Sequence, residues 1–399
     1  MKKSLVFIFS ALLAAAPMAH ATVNPQDDGQ AKPATVSHKH TVKHKHKHKR
    51  VVRHKKKVAV KHHRHVAAVR RVSETIPQPA AVPQPVAVAA VPTVPPQVLA
   101  KEERQFNQDL SKVPPSGVQD PPGVTRKLDL RSAAVLVVDQ KTGQALYAKN
   151  PDMQTPIASI TKLMTAVVVL DAGLSMSEPI TISEADVDRL KHSSSRLPVG
   201  VTLTRGELLH LALIASENRA AAALARTYPG GRDACIRAMN RKAAELGMTN
   251  THYVEATGLN SGNQSTAVDL AKLVNVAYRY PLIHQITTTG EYGVELPGYR
   301  VVKVRQHGKL RRVSREVERH VAFHNTNALT RNPGWEIGLS KTGFINEAGH
   351  CLVMQTRIAD RKVIMVLLDS EGKMSRIGDA TRVRRWLELE GVVANNDAT

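Results

Sequence analysis

A serine and a lysine three residues apart, Ser159 and Lys162 in Ala158-Ser159-Ile160-Thr161-Lys162, open a stretch patterned as a helix. At that spacing two side chains share one helix face, one turn apart. A serine hydroxyl is a poor nucleophile until a neighbour takes its proton. A lysine amine can take it only when burial or a nearby positive charge lowers its pKa. The apolar flank Leu163-Met164-Thr165-Ala166-Val167 offers that burial. A helix N-terminus beneath the serine would also favour negative charge developing on a substrate. The chemistry implied is acyl transfer through a serine ester. The same serine would serve equally as an ordinary helix cap. Ser370-Glu371-Gly372-Lys373 repeats the spacing in a polar stretch that reads as a loop, so the pair carries weight only in company.

Two further stretches supply it. Ser216-Glu217-Asn218 ends the apolar run Leu208 to Ala215 and would deliver a hydroxyl and an amide from a buried helix end, one to relay a proton and one to orient a substrate. Ser216 also reads as a plain helix terminator. Lys341-Thr342-Gly343, followed by Phe344, would set a cation and a hydroxyl along an edge strand, suited to a substrate carboxylate. There Gly343 would let a substrate backbone approach closely. Both patterns have decoys, Ser261-Gly262-Asn263 in a stretch (Gly258 to Ser265) that reads as a surface loop, and Lys141-Thr142-Gly143 in a hairpin turn.

Three distant stretches meet only if the elements between them fold back on one another. Globular patterning begins near Leu128. Ala133 to Val138 reads as a buried strand and Ala145 to Ala148 as its hairpin partner, across turn residues Asp139 to Gly143. Helical stretches are predicted over 160–171, 205–225, 234–246 and 266–279, then strands over 351–356 and 363–369 and a closing helix over 376–389. This order predicts an α/β (α+β) domain over 128–392, its sheet built from both chain ends with a helical insertion between. Residues 393–399 read as a disordered end. Cys235 and Cys351 are the only cysteines. They permit a disulfide in an oxidising compartment or, equally in keeping with cysteine's habits, two buried free thiols.

The first 21 residues have a basic start (Lys2, Lys3), an apolar run from Leu5 to Ala16 and an Ala19-His20-Ala21 end, the form of a cleaved signal peptide. The apolar run is too short to span a bilayer comfortably, so the mature protein is expected in the periplasm or outside the cell, without a transmembrane anchor. Net charge is +22, but 9 Lys, 5 Arg and no acid fall between His38 and Arg71, together with 9 of the 18 histidines. Residues 22–75 therefore read as a disordered basic tail, and 76–127 as a Pro-rich spacer. No aromatic residue interleaves the basic block to stack bases, and export argues against nucleic acid. Anionic envelope polymers are the better partner, with a tether lacking any specific ligand as the plain alternative. The Lys-His repeats also leave open metal binding through neutral imidazoles or a charge that rises below pH about 6.5.

In the order S-x-x-K, S-x-N, K-T-G these stretches match a known constellation of acyl-serine enzymes. The chain resembles the low-molecular-mass penicillin-binding proteins, the serine D-alanyl-D-alanine peptidases, over about 128–391. Pro156-Ile157-Ala158-Ser159, Ser216-Glu217-Asn218-Arg219-Ala220, Asn325-Thr326-Asn327 and Lys341-Thr342-Gly343-Phe344 with Ala348-Gly349-His350-Cys351 look like the endopeptidase branch. The resemblance implies a β-lactamase/transpeptidase-like fold with an antiparallel sheet, peptidoglycan peptides as substrates and β-lactams as inhibitors. It implies that Ser159 attacks, Lys162 accepts its proton, Ser216 and Asn218 relay and orient, and Lys341 and Thr342 hold the substrate. The oxyanion would rest on the backbone N–H groups of Ser159 and Phe344. Phe344 stands where some carboxypeptidase relatives carry histidine. No cofactor and no metal are expected, and the sequence has no H-E-x-x-H pattern.

Three activities compete on this ground. A β-lactamase of the Ser-Lys type usually adds Glu in E-x-x-L-N, whereas Glu255 to Asn260 is one residue too long and reads as a turn. Carboxypeptidase relatives usually append a β-rich domain and an amphipathic anchor, for which little sequence follows Trp386. That leaves the endopeptidase as the expectation, the carboxypeptidase as its alternative, and a binding protein acting through its tail as the third reading.

Overall fold

The strand over Ala134–Val138 is a continuous apolar run because both its faces are covered, and every one of these residues is fully buried. The computed structural model describes residues 96–110, 112–114, 118–119, 128–307 and 309–396. The expected signal peptide, the basic tail and residues 397–399 lie outside them. The chain runs from helix α1 (Pro96–Leu110) through β1 (Val118–Gln119), β2 (Ser132–Asp139), β3 (Ala145–Lys149) and β4 (Thr155–Pro156). One 3₁₀ turn, Ala158–Ile160, leads into α2 (Thr161–Asp171). Strands β5 (Pro179–Thr181) and β6 (Thr202–Thr204) bracket a long loop before α3 (Arg205–Ile214), α4 (Asn218–Arg226) and α5 (Gly231–Glu245). Then come β7 (Gln264–Ser265), α6 (Ala267–Ala277), α7 (Pro281–Thr288), β8 (Glu291–Gln306) and β9 (Lys309–His324). Strands β10 (Glu336–Ile345), β11 (Gly349–Ile358) and β12 (Arg361–Ser370) precede α8 (Lys373–Asn396).

Six strands form one antiparallel sheet in the order β1-β3-β2-β12-β11-β10. Strand β2 pairs with β12 from Val363↔Asp139 to Ser370↔Ser132, so the two ends of the domain close the sheet on each other. Alternation along β2 sends Leu136 and Val138 into a core shared with α2, α3, α4 and α6, and Val135 and Val137 onto Ala380, Val383 and Trp386 of α8. The junction is tied by Asp379, which accepts from the Ser132 amide at 2.8 Å and the Ser132 hydroxyl at 2.6 Å. Helices thus cover one face of the sheet and a single helix the other, and the sheet is built from both ends of the domain as expected.

Several elements differ from expectation. The helix predicted over 205–225 is two, because Ser216 adopts a left-handed φ of 61° and turns the chain between α3 and α4. Within the stretch read as a spacer, α1 seals Phe106 and Leu110 into the main core. Helix α8 continues to Asn396, past the boundary expected at 392. The long β8–β9 hairpin had no forecast at all. The stretch Gly258–Ser265 is not a surface loop, since Asn263 and Ser265 are fully buried. Of the two readings of Cys235 and Cys351, that of buried free thiols holds, and burial pushes the thiols up to about 12 and about 11.

Candidate active site

The turn carrying Ser159 is set by its neighbours rather than by capping. Ala158 is held at a φ of 47°, a conformation costly to a residue with a Cβ. The amide of Ile157 donates to the carbonyl of Asn263 at 3.1 Å, and the hydroxyl of Thr161 donates to the carbonyl of Ala158 at 2.8 Å. The first residue before α2 is Ile160, with no side-chain cap. Ser159 is therefore not spent on capping, and its hydroxyl faces Lys162.

Two glycines clamp this turn. A Cβ on Gly258 would lie 1.9 Å from the carbonyl oxygen of Ala158 and 2.7 Å from the amide nitrogen of Ser159. A Cβ on Gly343 would lie 2.9 Å from the carbonyl oxygen of Ile157 and 3.1 Å from the amide nitrogen of Ser159. Gly343 thus admits the nucleophile turn against the edge strand β10, where the sequence had assigned it to the substrate backbone. Gly258→Ala is expected to slow acylation by penicillin at least about 100-fold, a scale on which small misplacements at a reacting centre are felt. Stopped-flow labelling of the purified variant reads this directly, and wild-type rates would show that the turn tolerates displacement.

Lys162 is 1% exposed. Its Nζ lies 2.8 Å from Ser159 Oγ, 2.8 Å from Asn218 Oδ1 and 2.5 Å from the carbonyl oxygen of Thr257. Burial lowers its pKa to about 8, against the opposing pull of Glu255 and Glu217. The partners make sense of a neutral amine. Asn218 Oδ1 and the Thr257 carbonyl can only accept, so in the neutral form they would take both N–H bonds and leave the lone pair for the Ser159 hydroxyl, to which the ammonium donates instead.

Sequence reading missed the loop that supplies Thr257. The carboxylate of Glu255 accepts from the Thr257 amide and hydroxyl (2.6 Å each), the Gly258 amide (2.5 Å) and Asn263 Nδ2 (2.9 Å). With its oxygens committed to its own turn, Glu255 shapes the loop beneath Lys162 and does not face the serine as a deacylating base would. Asn263, which belonged to the decoy triplet, reaches the site through a second bond, to the hydroxyl of Thr161 at 3.0 Å. The signal was legible as an Asx-rich turn, but not its place.

On the opposite wall, Lys341 is also 1% exposed. Its Nζ donates to Ser216 Oγ at 2.9 Å and to the carbonyl of Thr342 at 2.9 Å. Ser216 ends α3 and presents its hydroxyl to this lysine, so the helix terminator also stands on the wall of the cleft. Burial, then the charges of Lys162 and Arg376, hold Lys341 well below the ordinary lysine range. Thr342 Oγ1 donates to Thr326 Oγ1 at 2.7 Å. Arg376, another residue that sequence reading passed over, is buried and donates from Nη1 to the carbonyls of Gly343 (2.8 Å) and Cys351 (3.0 Å). It fixes the edge strand from behind. Phe344, 51% exposed, stacks on His350 with ring centroids 4.2 Å apart.

The loop between β5 and β6 closes the remaining side. Asn218 Nδ2 donates to Ser193 Oγ at 2.9 Å, and Ser195 Oγ donates to Glu217 at 2.7 Å. From the far side Lys191 pairs with Glu347 in the β10–β11 turn. A cavity of about 450 Å³, lined in part by Val187, Leu190, Ala222 and Leu259, opens beside Asn218 and Thr257. All eight residues expected in the site, Ser159, Lys162, Ser216, Asn218, Lys341, Thr342, Gly343 and Phe344, lie on the walls just described. None of the decoys supplies a hydroxyl or amine to it.

A buried amine on a serine, with a second lysine on an edge strand, belongs to the serine peptidases of the penicillin-binding class. Over residues 121–372 the chain matches peptidase family S11, D-alanyl-D-alanine carboxypeptidase, and it belongs to that family. It is 47% identical over 274 residues to a D-alanyl-D-alanine endopeptidase of Pseudomonas aeruginosa, covering 68% of this chain and 82% of that one. With a D-alanyl-D-alanine endopeptidase of Escherichia coli it shares 43% over 267 residues, 66% of this chain and 80% of that one. The solved structure of penicillin-binding protein D2 from Listeria monocytogenes in its ampicillin-bound form matches with a TM-score of 0.53 at 26% identity, over 66% of this chain and 99% of that one.

Proposed function

We propose that this protein is a serine D-alanyl-D-alanine endopeptidase that cuts peptide cross-links of peptidoglycan through an acyl-enzyme, and that β-lactams acylate the same serine. The observation that carries the reading is the 2.8 Å contact between Lys162 Nζ and Ser159 Oγ, with the other amine bonds taken by pure acceptors. Neutral Lys162 takes the hydroxyl proton as Ser159 Oγ bonds to the D-alanyl carbonyl carbon. The oxyanion rests on the backbone N–H groups of Ser159 and Phe344. The C–N bond then breaks, and Lys162 returns the proton it took to the departing amine through Ser216, which Lys341 holds. Water, deprotonated in turn by Lys162, splits the ester. Asn218 keeps Lys162 aligned throughout, while Lys341 and Thr342 attract the substrate carboxylate.

The choice of endopeptidase over carboxypeptidase is supported by the two relatives described above, at 47% and 43% identity, both named endopeptidases. Purified enzyme is expected to convert cross-linked muropeptide dimers to monomers faster than it releases terminal D-Ala from pentapeptide monomers, followed by chromatography. D-Ala release without dimer cleavage would transfer the chain to the carboxypeptidases.

Among the described residues no helix is long and apolar enough to cross a membrane. We place the enzyme in the periplasm on its N-terminal signal pattern, and assign the tail at 38–71 to anionic envelope polymers on its charge alone. Deleting residues 38–71 is expected to reduce co-sedimentation with cell-wall sacculi. Unchanged sedimentation would leave the tail a tether.

A further inference from the structure

Strands β8 and β9 form a two-stranded ribbon paired from Glu291↔His324 to Gln306↔Lys309. Its root is part of the core through Val294, Leu296 and Phe323. Beyond Gly298 the ribbon continues for eight residues, about 26 Å at ~3.3 Å per residue, and packs against neither main core. This outer half is one-sided in charge. Between Tyr299 and its partner Glu316 it carries Arg300, Lys303, Arg305, Lys309, Arg311, Arg312 and Arg315 against that one acid.

The register sharpens the point. Arg300 stands directly opposite Arg315, and Lys303 opposite Arg312. Like charges in direct cross-strand pairs work against a sheet, and among the described residues the ion pairs of the ribbon, His320–Glu295 and His324–Glu291, lie at its root. Residues opposite each other share a face and alternate along it, so Tyr299, Val301, Lys303, Arg305, Leu310, Arg312 and Ser314 form one side, with a single acid, Glu316, opposite Tyr299 at its root. On that side Tyr299 is 74% exposed, Val301 65% and Leu310 68%. Three apolar side chains held in water among three cations need a partner offering both negative charge and an apolar medium.

We infer that this face of the β8–β9 ribbon docks on an anionic lipid bilayer, its cations on the headgroups and Val301 and Leu310 below them. Tyr299 lies between the two layers, where an apolar ring with a polar tip belongs. A carboxylate-bearing wall polymer would satisfy the cations but would leave both aliphatic side chains in water. The ribbon returns through His324 to Asn325 and Thr326, whose hydroxyl accepts from Thr342. Docking would therefore fix the height of the cleft above the bilayer.

The test uses the full chain with Leu310→Cys carrying a polarity-sensitive fluorophore; the native thiols, both buried, do not compete. Because the dye reports only on the ribbon, attraction of the basic tail to the same vesicles does not mimic the signal. Emission is expected to rise at least about twofold and shift to the blue on vesicles with about 30 mol % phosphatidylglycerol, and not on phosphatidylcholine alone. The response should vanish with Lys303→Glu, Arg305→Glu and Arg312→Glu combined, and weaken with Val301→Ser. Retained penicillin labelling of each variant certifies folding. Silence on anionic vesicles, a response that survives the charge reversal, or an equal response to lipid-free sacculi would each overturn the inference.

Discussion

Replacing Ser159 by alanine is expected to leave a folded protein that takes up no fluorescent penicillin and cleaves D-alanyl peptides at least about 10⁴-fold more slowly. The fold should survive because the Ser159 hydroxyl caps no helix, and because what is lost is one half-buried oxygen bonded to Lys162 Nζ. The amine keeps Asn218 and Thr257 as partners. Residual turnover would come from binding and the oxyanion donors alone. Gel fluorescence after incubation with a labelled penicillin, beside a melting curve, separates chemistry from folding. Covalent label on the alanine variant would move the nucleophile elsewhere and end the mechanism.

The second large effect concerns Lys162. With its pKa near 8, a minority of molecules carry the neutral amine at pH 7, and only these have a lone pair for the serine proton. Below pH 8 the acylation rate constant should therefore climb about tenfold per pH unit, and above it should level off. The sign is opposite to that of a group needed in its charged form. Lys162→Ala should remove this limb and cost about 10⁴-fold, since the base and its two anchoring bonds go together. Penicillin acylation followed across pH 6 to 10 is the measurement. A rate that falls through pH 8 would mean that the ammonium, and hence some other base, is in use.

How much of this was legible in the chain depends on the range of the cause. Strand β2 and its hairpin partner follow from apolar runs and turn residues within a few positions, and they formed as read. The motif residues were found because three stretches, each with a decoy of its own, occur in one order that matches a known constellation. What escaped was set at long range. Ser216 breaks a good helical pattern because Lys341, 125 residues on, lies opposite its hydroxyl. Asn263 looked like a loop residue because its partner Thr161, 102 residues back, is its neighbour only in space. Gly258 matters through a contact with Ala158 that no spacing encodes. The β8–β9 ribbon was hidden by its own composition, since its charged positions exceed the alternation that marks a half-buried strand.

The closure of the sheet by β2 against β12 carries a consequence for the order of events in the life of the chain. Ser159 and Lys162 emerge early from the ribosome, but the wall bearing Lys341 is held by β11, and β11 by β12, whose other edge is β2. Pairing that joins residues more than 220 positions apart is slow to nucleate. An incomplete chain ending before residue 361 would hold its nucleophile without the opposite wall. Such an enzyme would stay inert while its chain is incomplete, and would acquire its reactivity only with the last strand in place.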